Sequence, residues 1–178
     1  MEVIIICGLI VFLIFGLTAF IGAPYVPTRH TDIQKLLRDE LKLTKDDIVL
    51  DVGSGDGAVL QEVARAGAQA VGYEINPFLV LASRWRLRKY AKNVRIKWTN
   101  AWTTQPAKHI TVIYAFGAGL HLKKIYQLAR QQATHQGRSL RLVSYGYRLD
   151  TTKNDRLLKE AGPYFLYEIR PDFTGDKA

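Results

Sequence analysis

Residues 53–57 read Gly-Ser-Gly-Asp-Gly and follow directly on the apolar run Ile48-Val49-Leu50-Asp51-Val52. A second apolar run, Ala70-Val71-Gly72-Tyr73, ends on Glu74. Gly53 allows a sharp bend after the first run, and Gly55 and Gly57 let main chain come close to a bound group. Glu74 is placed to accept hydrogen bonds from both hydroxyls of a ribose, as an acidic residue does in dinucleotide folds. Asp51 and Asp56 add negative charge around Ser54 and the glycines. That charge suits a sulfonium and an amino group, and it opposes a pyrophosphate at the helix N-terminus. The spacing is G-x-G-x-G, not the G-x-G-x-x-G of NAD or FAD sites. The expected ligand is therefore S-adenosyl-L-methionine. Without Glu74, a plain strand-to-helix connection would be the competing reading of the same turn.

Elements must hold these residues in place. Strands are expected at 48–52, 70–74, 94–98, 110–115 and 140–145. Between them, one helix starts near Ala58 and stops at Gly67, and one starts at Asn76 and Pro77 and runs to about Tyr90. A third carries Leu122, Ile125, Leu128, Ala129 and Ala133 and stops at Gly137. Thr31 and Gln34 have capping-box spacing ahead of Ile33, Leu36, Leu37 and Leu41, which marks an earlier helix. Leu157 and Leu158 lie in a short element of undecided type, and 164–170 alternates like a late antiparallel strand. Alternating strands and helices predict an α/β, Rossmann-like parallel sheet covered on both faces, with ligands at the carboxyl ends of its strands. Asn100, Ala101 and Trp102 fall past the third strand, where an adenine would be gripped. Asn100 can read the exocyclic amine and Trp102 can pack beside it. A turn residue and a core aromatic are the ordinary alternatives.

The 178 residues suit one such domain, preceded by something different. Residues 3–22 carry no charge and, at about 1.5 Å per helical residue, would span roughly 30 Å, one hydrocarbon core. A cleaved signal peptide would want a basic start, but only Glu2 precedes the run. The expected organisation is a transmembrane anchor over 1–22, a stiff connector over 23–30 and a domain over 31–178. Every Lys and Arg lies after Gly22, so the domain is expected on the cytoplasmic or mitochondrial matrix side. One cysteine, Cys7, excludes an internal disulfide and a thiolate cluster. The four histidines show no ligand spacing, so no metal is expected.

The motifs resemble class I, seven-stranded S-adenosylmethionine-dependent methyltransferases. More narrowly, PYVPT before the domain, VLDVGSGDG, VGYEINPFLV, Asn100-Ala101-Trp102 and the LVS of Leu142 to Ser144 resemble the membrane-anchored mitochondrial and archaeal protein-lysine N-methyltransferases. The resemblance runs from Pro24 to about Tyr147. It implies a seven-stranded fold, donor contacts from Gly53, Gly55, Glu74 and Asn100, and a protein lysine as acceptor. It also implies that Tyr25 and Thr28 close over the donor or shape a lysine channel, with Ser144 after the fifth strand. Two departures, Gly146 and Ala115-Phe116-Gly117, fall where the acceptor should sit.

Methyl transfer from sulfonium to amine moves positive charge without creating much, so positioning and water exclusion can carry it. An apolar channel would lower the pKa of an incoming lysine. Tyr25, Trp102, Tyr145 and Tyr147 are the aromatics expected near it, with ordinary packing as the alternative for each; no residue stands out as a general base. The rival acceptor is RNA or a small molecule. Arg84, Arg86, Arg88, Lys89, Lys92, Arg95 and Lys97 form a basic stretch that suits phosphates, anionic lipid or plain solvation. Against base methylation, no Asn/Asp-Pro-Pro-Tyr string is present. A non-catalytic membrane adaptor that kept the fold is the reading from a different class.

Overall fold

A computed structural model describes residues 1–6, 8–9, 16, 30–105, 107, 109–116 and 121–172. The sequence span over 3–22, the connector and the PYVPT segment with Tyr25 and Thr28 lie largely or wholly outside them. Among the described residues, no helix is long and apolar enough to cross a membrane.

Ahead of the sheet runs α1 (His30–Lys35), which widens into a π turn over Leu36–Glu40, closed by Leu41 N donating to Leu36 O. Ile33, Leu36, Leu37 and Leu41 are all buried, so the apolar spacing seats this helix on the sheet. Five strands follow, β1 (Ile48–Val52), β2 (Gln69–Glu74), β3 (Val94–Trp98), β4 (Val112–Phe116) and β5 (Leu140–Tyr145). They alternate with α2 (Ala58–Arg65), α3 (Pro77–Arg86) and α4 (Leu122–Gln136). The chain then adds the hairpin of β6 (Arg156–Ala161) and β7 (Tyr164–Ile169). The sheet order is β3-β2-β1-β4-β5-β7-β6. The first five strands are parallel, and β7 runs antiparallel between β5 and β6.

This is the expected α/β seven-stranded plan, with three differences. The fourth strand starts at Val112, two residues after the expected Ile110, and runs on to Phe116. The segment around Leu157 is a strand, mostly exposed and irregular between Leu157 and Lys159. The helix expected to reach Tyr90 ends at Arg86, and a 3-10 turn covers Arg88–Tyr90.

Neighbouring residues on each strand face opposite sides. Val49, Val112, Tyr114 and Val143 join α1 and α2 in one core, whereas Leu50, Ile113, Ala115 and Leu142 join α4 in the other. Each fully buried aliphatic side chain contributes about 1.5–3 kcal/mol. At the amino ends of the strands, Asp47 accepts from Thr44 N, Thr111 Oγ1 and Arg141 Nη2. Burial pushes its carboxyl up, but those donors outweigh burial and hold it below the ordinary carboxylate range. This polar node pins one end of the sheet and leaves the carboxyl ends to carry the site.

Candidate active site

The turn between β1 and α2 closes on itself. Gly53, Gly55 and Gly57 all have positive φ, at 77°, 54° and 82°. Such a run is open to glycine and costly for other residues. Its N–H groups point inward. Those of Gly53 and Ser54 both donate to Tyr73 O, at 2.9 and 3.0 Å, and that of Gly57 to Ser54 O at 2.9 Å. Gly55 N donates to Glu74 Oε2 at 2.8 Å. The turn is thus a poor phosphate cradle, because the donors such a cradle needs are already engaged.

Three carboxylates surround it. Glu74 is buried, and its other oxygen accepts from Asn76 N at 2.7 Å. Each carboxylate oxygen has a second lone pair, so Glu74 can still accept two hydroxyl hydrogens. Asp51, on β1, is buried. Desolvation first, then repulsion from Glu74 and Asp56, pushes its carboxyl up to about 8. Asp56 accepts from Ala58 N at 3.3 Å and pairs with Arg86 at 2.7 Å. Asp51 therefore holds its proton near pH 7 until a cation arrives to favour its ionised form, and Glu74 opposes a polyphosphate at the turn. The residues therefore fit a nucleoside bearing a sulfonium and an ammonium group.

Ser54, grouped with the ligand residues on sequence, packs its side chain against Gly72. A Cβ at Gly72 would fall 2.6 Å from Ser54 Oγ and 2.6 Å from Leu60 Cδ1. Gly72 is a residue that sequence reasoning passes over, although a glycine inside a strand signals close approach of another segment. In the sequence Arg86 reads as one of a basic run, and nothing local links it to Asp56.

Past β3, Asn100 builds an Asx turn. Its Oδ1 accepts from Trp102 N at 3.0 Å, and its carbonyl accepts from Thr104 Oγ1 at 2.6 Å. One lone pair of Oδ1 remains to meet an amine. Trp102 stacks on His121 at 5.6 Å, and Lys124 Nζ lies 5.9 Å from its ring. Ala101 and Trp102 border a cavity of about 210 Å³, with Leu50 and Tyr73 also lining it. The Tyr73 hydroxyl is buried with no hydrogen-bond partner among the described residues.

At the carboxyl ends of β4 and β5, Tyr145 packs between Phe116 at 4.8 Å and Tyr164 at 5.0 Å. Ser144 is buried, and its hydroxyl donates to Tyr147 O at 2.7 Å. Glu74, Asp51 and the glycine turn thus come together around β1 and β2, while Ser144 and Tyr145 sit across β4. Tyr25 and Thr28 fall outside the described residues.

The family model of the ANTKMT methyltransferase domain matches residues 51–156, more than half of the chain. The chain belongs to the ANTKMT methyltransferase domain family. This establishes an S-adenosylmethionine-dependent methyltransferase domain. Among curated proteins, a lysine N-methyltransferase of Xenopus laevis, named for an ATP synthase component, is 46% identical over 63 residues, 35% of this chain and 27% of that protein. A ribosomal RNA small subunit methyltransferase A of Thermotoga petrophila is 38% identical over 65 residues, 36% of this chain and 25% of that protein. The alignments thus span about a quarter of those relatives' length. Among solved structures, an RNA methyltransferase from Salinibacter ruber in complex with S-adenosyl-L-homocysteine superposes with a TM-score of 0.68 at 22% identity, covering 85% of this chain and 97% of that one. That likeness is one of fold.

Proposed function

We propose that this protein methylates lysine side chains of membrane-associated protein, with S-adenosylmethionine as donor. The observation that carries the donor half is the turn at 53–57, where the N–H groups of Gly53, Ser54, Gly55 and Gly57 are spent inward while the Glu74 carboxylate lies against it and the buried Asp51 is poised to ionise beside an arriving cation. When bound, the donor supplies a methyl group on an electron-poor sulfur. In this reading Glu74 takes the ribose hydroxyls, Gly53, Gly55 and Gly57 let the nucleoside lie against main chain, and Asp51 faces the cationic end. Asn100, Ala101 and Trp102 hold the adenine, and Ser54 fixes the turn from behind.

The acceptor half is supported by the match to the Xenopus lysine methyltransferase and by the aromatic wall of Phe116 and Tyr145. An aromatic wall strips water from an incoming ammonium, which lowers its pKa and frees the lone pair. It also tolerates a cationic methylated product. Ser144 sets the Tyr147 segment beside that wall, and Tyr25 and Thr28 are proposed to close the channel from the connector. Residues 3–22 are proposed as the membrane anchor of a domain over 31–178, on the cytoplasmic or matrix side.

RNA is the second reading, favoured by the Thermotoga relative and the basic stretch after Arg84. Labelled donor, incubated with the protein and separate membrane-protein and RNA fractions, distinguishes them. Label recovered as methyl-lysine supports the proposal; label confined to nucleotides overturns it.

A further inference from the structure

The α3 helix buries one side and exposes the other to solvent. Val80, Ser83 and, just beyond, Leu87 face the core. Opposite them Phe78, Leu81 and Trp85 stand at i, i+3 and i+7, on one helical face, and are 38%, 62% and 71% exposed. Trp98, closing the edge strand β3, is 66% exposed. Its indole N–H donates to Ile75 O at 3.0 Å, which lays the ring across the entrance to α3. Cations surround these four side chains. The Arg88 guanidinium stacks 4.7 Å from the Trp85 ring, Arg84 reaches Ile96 O at 3.2 Å, and Lys89 and Lys92 are exposed, whereas Arg95 and Lys97 alternate with Trp98 along β3 and leave the sheet on its other side, Lys97 over the Tyr73 ring at 5.5 Å. No Asp or Glu occurs between Glu74 and Asp150.

We propose that this face, formed by α3 and the edge strand β3, docks on an anionic lipid bilayer. Phe78, Leu81, Trp85 and Trp98 would enter the interfacial zone, where tryptophan is favoured, while the cations meet acidic headgroups. Single-stranded nucleic acid fits less well. Base stacking needs open ring faces, whereas Arg88 already occupies one face of Trp85 and the aliphatic Leu81 offers none. A protein interface fits less well too, since its centre is depleted in lysine and its apolar core is not ringed by one sign of charge. The inference stands on this surface and needs neither a lysine acceptor nor the segment over 3–22.

The test uses the full chain with vesicles of phosphatidylcholine, alone or mixed with phosphatidylglycerol, carrying brominated acyl chains that quench tryptophan on contact. Flotation reports whether the chain is on the vesicle, and quenching reports whether this face is. Emission should be quenched on the anionic vesicles. It should recover in the W85F/W98F double variant, which leaves Trp102 as the remaining tryptophan. Arg88→Glu with Lys89→Glu and Lys92→Glu should weaken the anionic preference at least about tenfold, since each basic residue near such a surface contributes measurably. Leu81→Ser should reduce quenching without changing charge, and retained S-adenosylhomocysteine binding checks that each variant folds. A chain that floats with its tryptophans unquenched overturns the proposal. So does emission that responds to single-stranded RNA and not to anionic vesicles.

Discussion

At the scale of single residues, the most consequential group is Asp51. An ordinary aspartate titrates near 4, whereas burial and the nearby Glu74 and Asp56 push this one up to about 8. Between those values the unfolded chain carries a bare carboxylate while the folded chain keeps its proton. The ligand-free protein should therefore lose stability as pH rises from about 4 to about 8, with no further loss from this group above that. Asp51→Asn should flatten that slope and raise the melting temperature at pH 8, as thermal unfolding across pH would show. A cationic donor reverses the preference and favours the carboxylate. Donor binding near pH 7 should then release a proton, seen by calorimetry as a heat that depends on the buffer's ionisation enthalpy. An unchanged heat across buffers would remove Asp51 from the donor's neighbourhood.

Glu74 makes a second residue-scale prediction. Removing its carboxylate should weaken S-adenosylhomocysteine binding by about 1–3 kcal/mol. Because Glu74 also holds the N–H groups of Gly55 and Asn76, some of that loss is structural. A ligand lacking the ribose hydroxyls separates the two effects. The native protein should discriminate against it, and Glu74→Ala should not.

At the scale of elements, the glycine turn and α3 are fitted to each other. A Cβ on Gly57 would fall 2.5 Å from Ser83 Oγ and 2.7 Å from Leu87 Cδ1. Gly137, the αL cap of α4, has a similar positive φ of 66° and nothing within 4 Å. Gly137→Ala should therefore cost only the backbone strain, about 1–2 kcal/mol. Gly57→Ala should add a packing penalty of about 1–3 kcal/mol to that. Denaturant unfolding of the two variants measures the difference, and equal losses would mean that α3 gives way freely. The same elements show how far the sequence alone can be read. β1 and β5 are largely apolar runs and β3 alternates apolar with basic residues, each bracketed by turn residues, and their observed bounds coincide with the expected ones. Glu74 and the glycines are legible because their pattern is local to one strand-turn-helix unit. β6 is not, because Leu157 and Leu158 stand side by side on an irregular, solvent-facing strand and break the alternation. The pairings of Ser54 with Gly72 and of Asp56 with Arg86 are also out of reach, since only the folded sheet brings them together.

At the scale of the molecule, attachment is divided between two candidate devices, the span over 3–22 and the α3 face. Deleting residues 1–22 should release the domain from neutral bilayers while leaving salt-sensitive binding to acidic ones, measured by sedimentation with vesicles. Retention on neutral vesicles would show that the span is not the principal anchor. The α3 face would bring the β3 edge toward the lipid.

The position of β7 sets the timing of biosynthesis. It follows every other strand in the chain, yet it is hydrogen-bonded on both sides, between β5 and β6. While the ribosome is still translating, β5 has no neighbour on that flank and presents an open row of amides. Until residues 164–169 pair with it, that edge is a template for pairing with another chain. A premature stop before Tyr164 would give not a smaller enzyme but an aggregation-prone fragment destined for proteolysis.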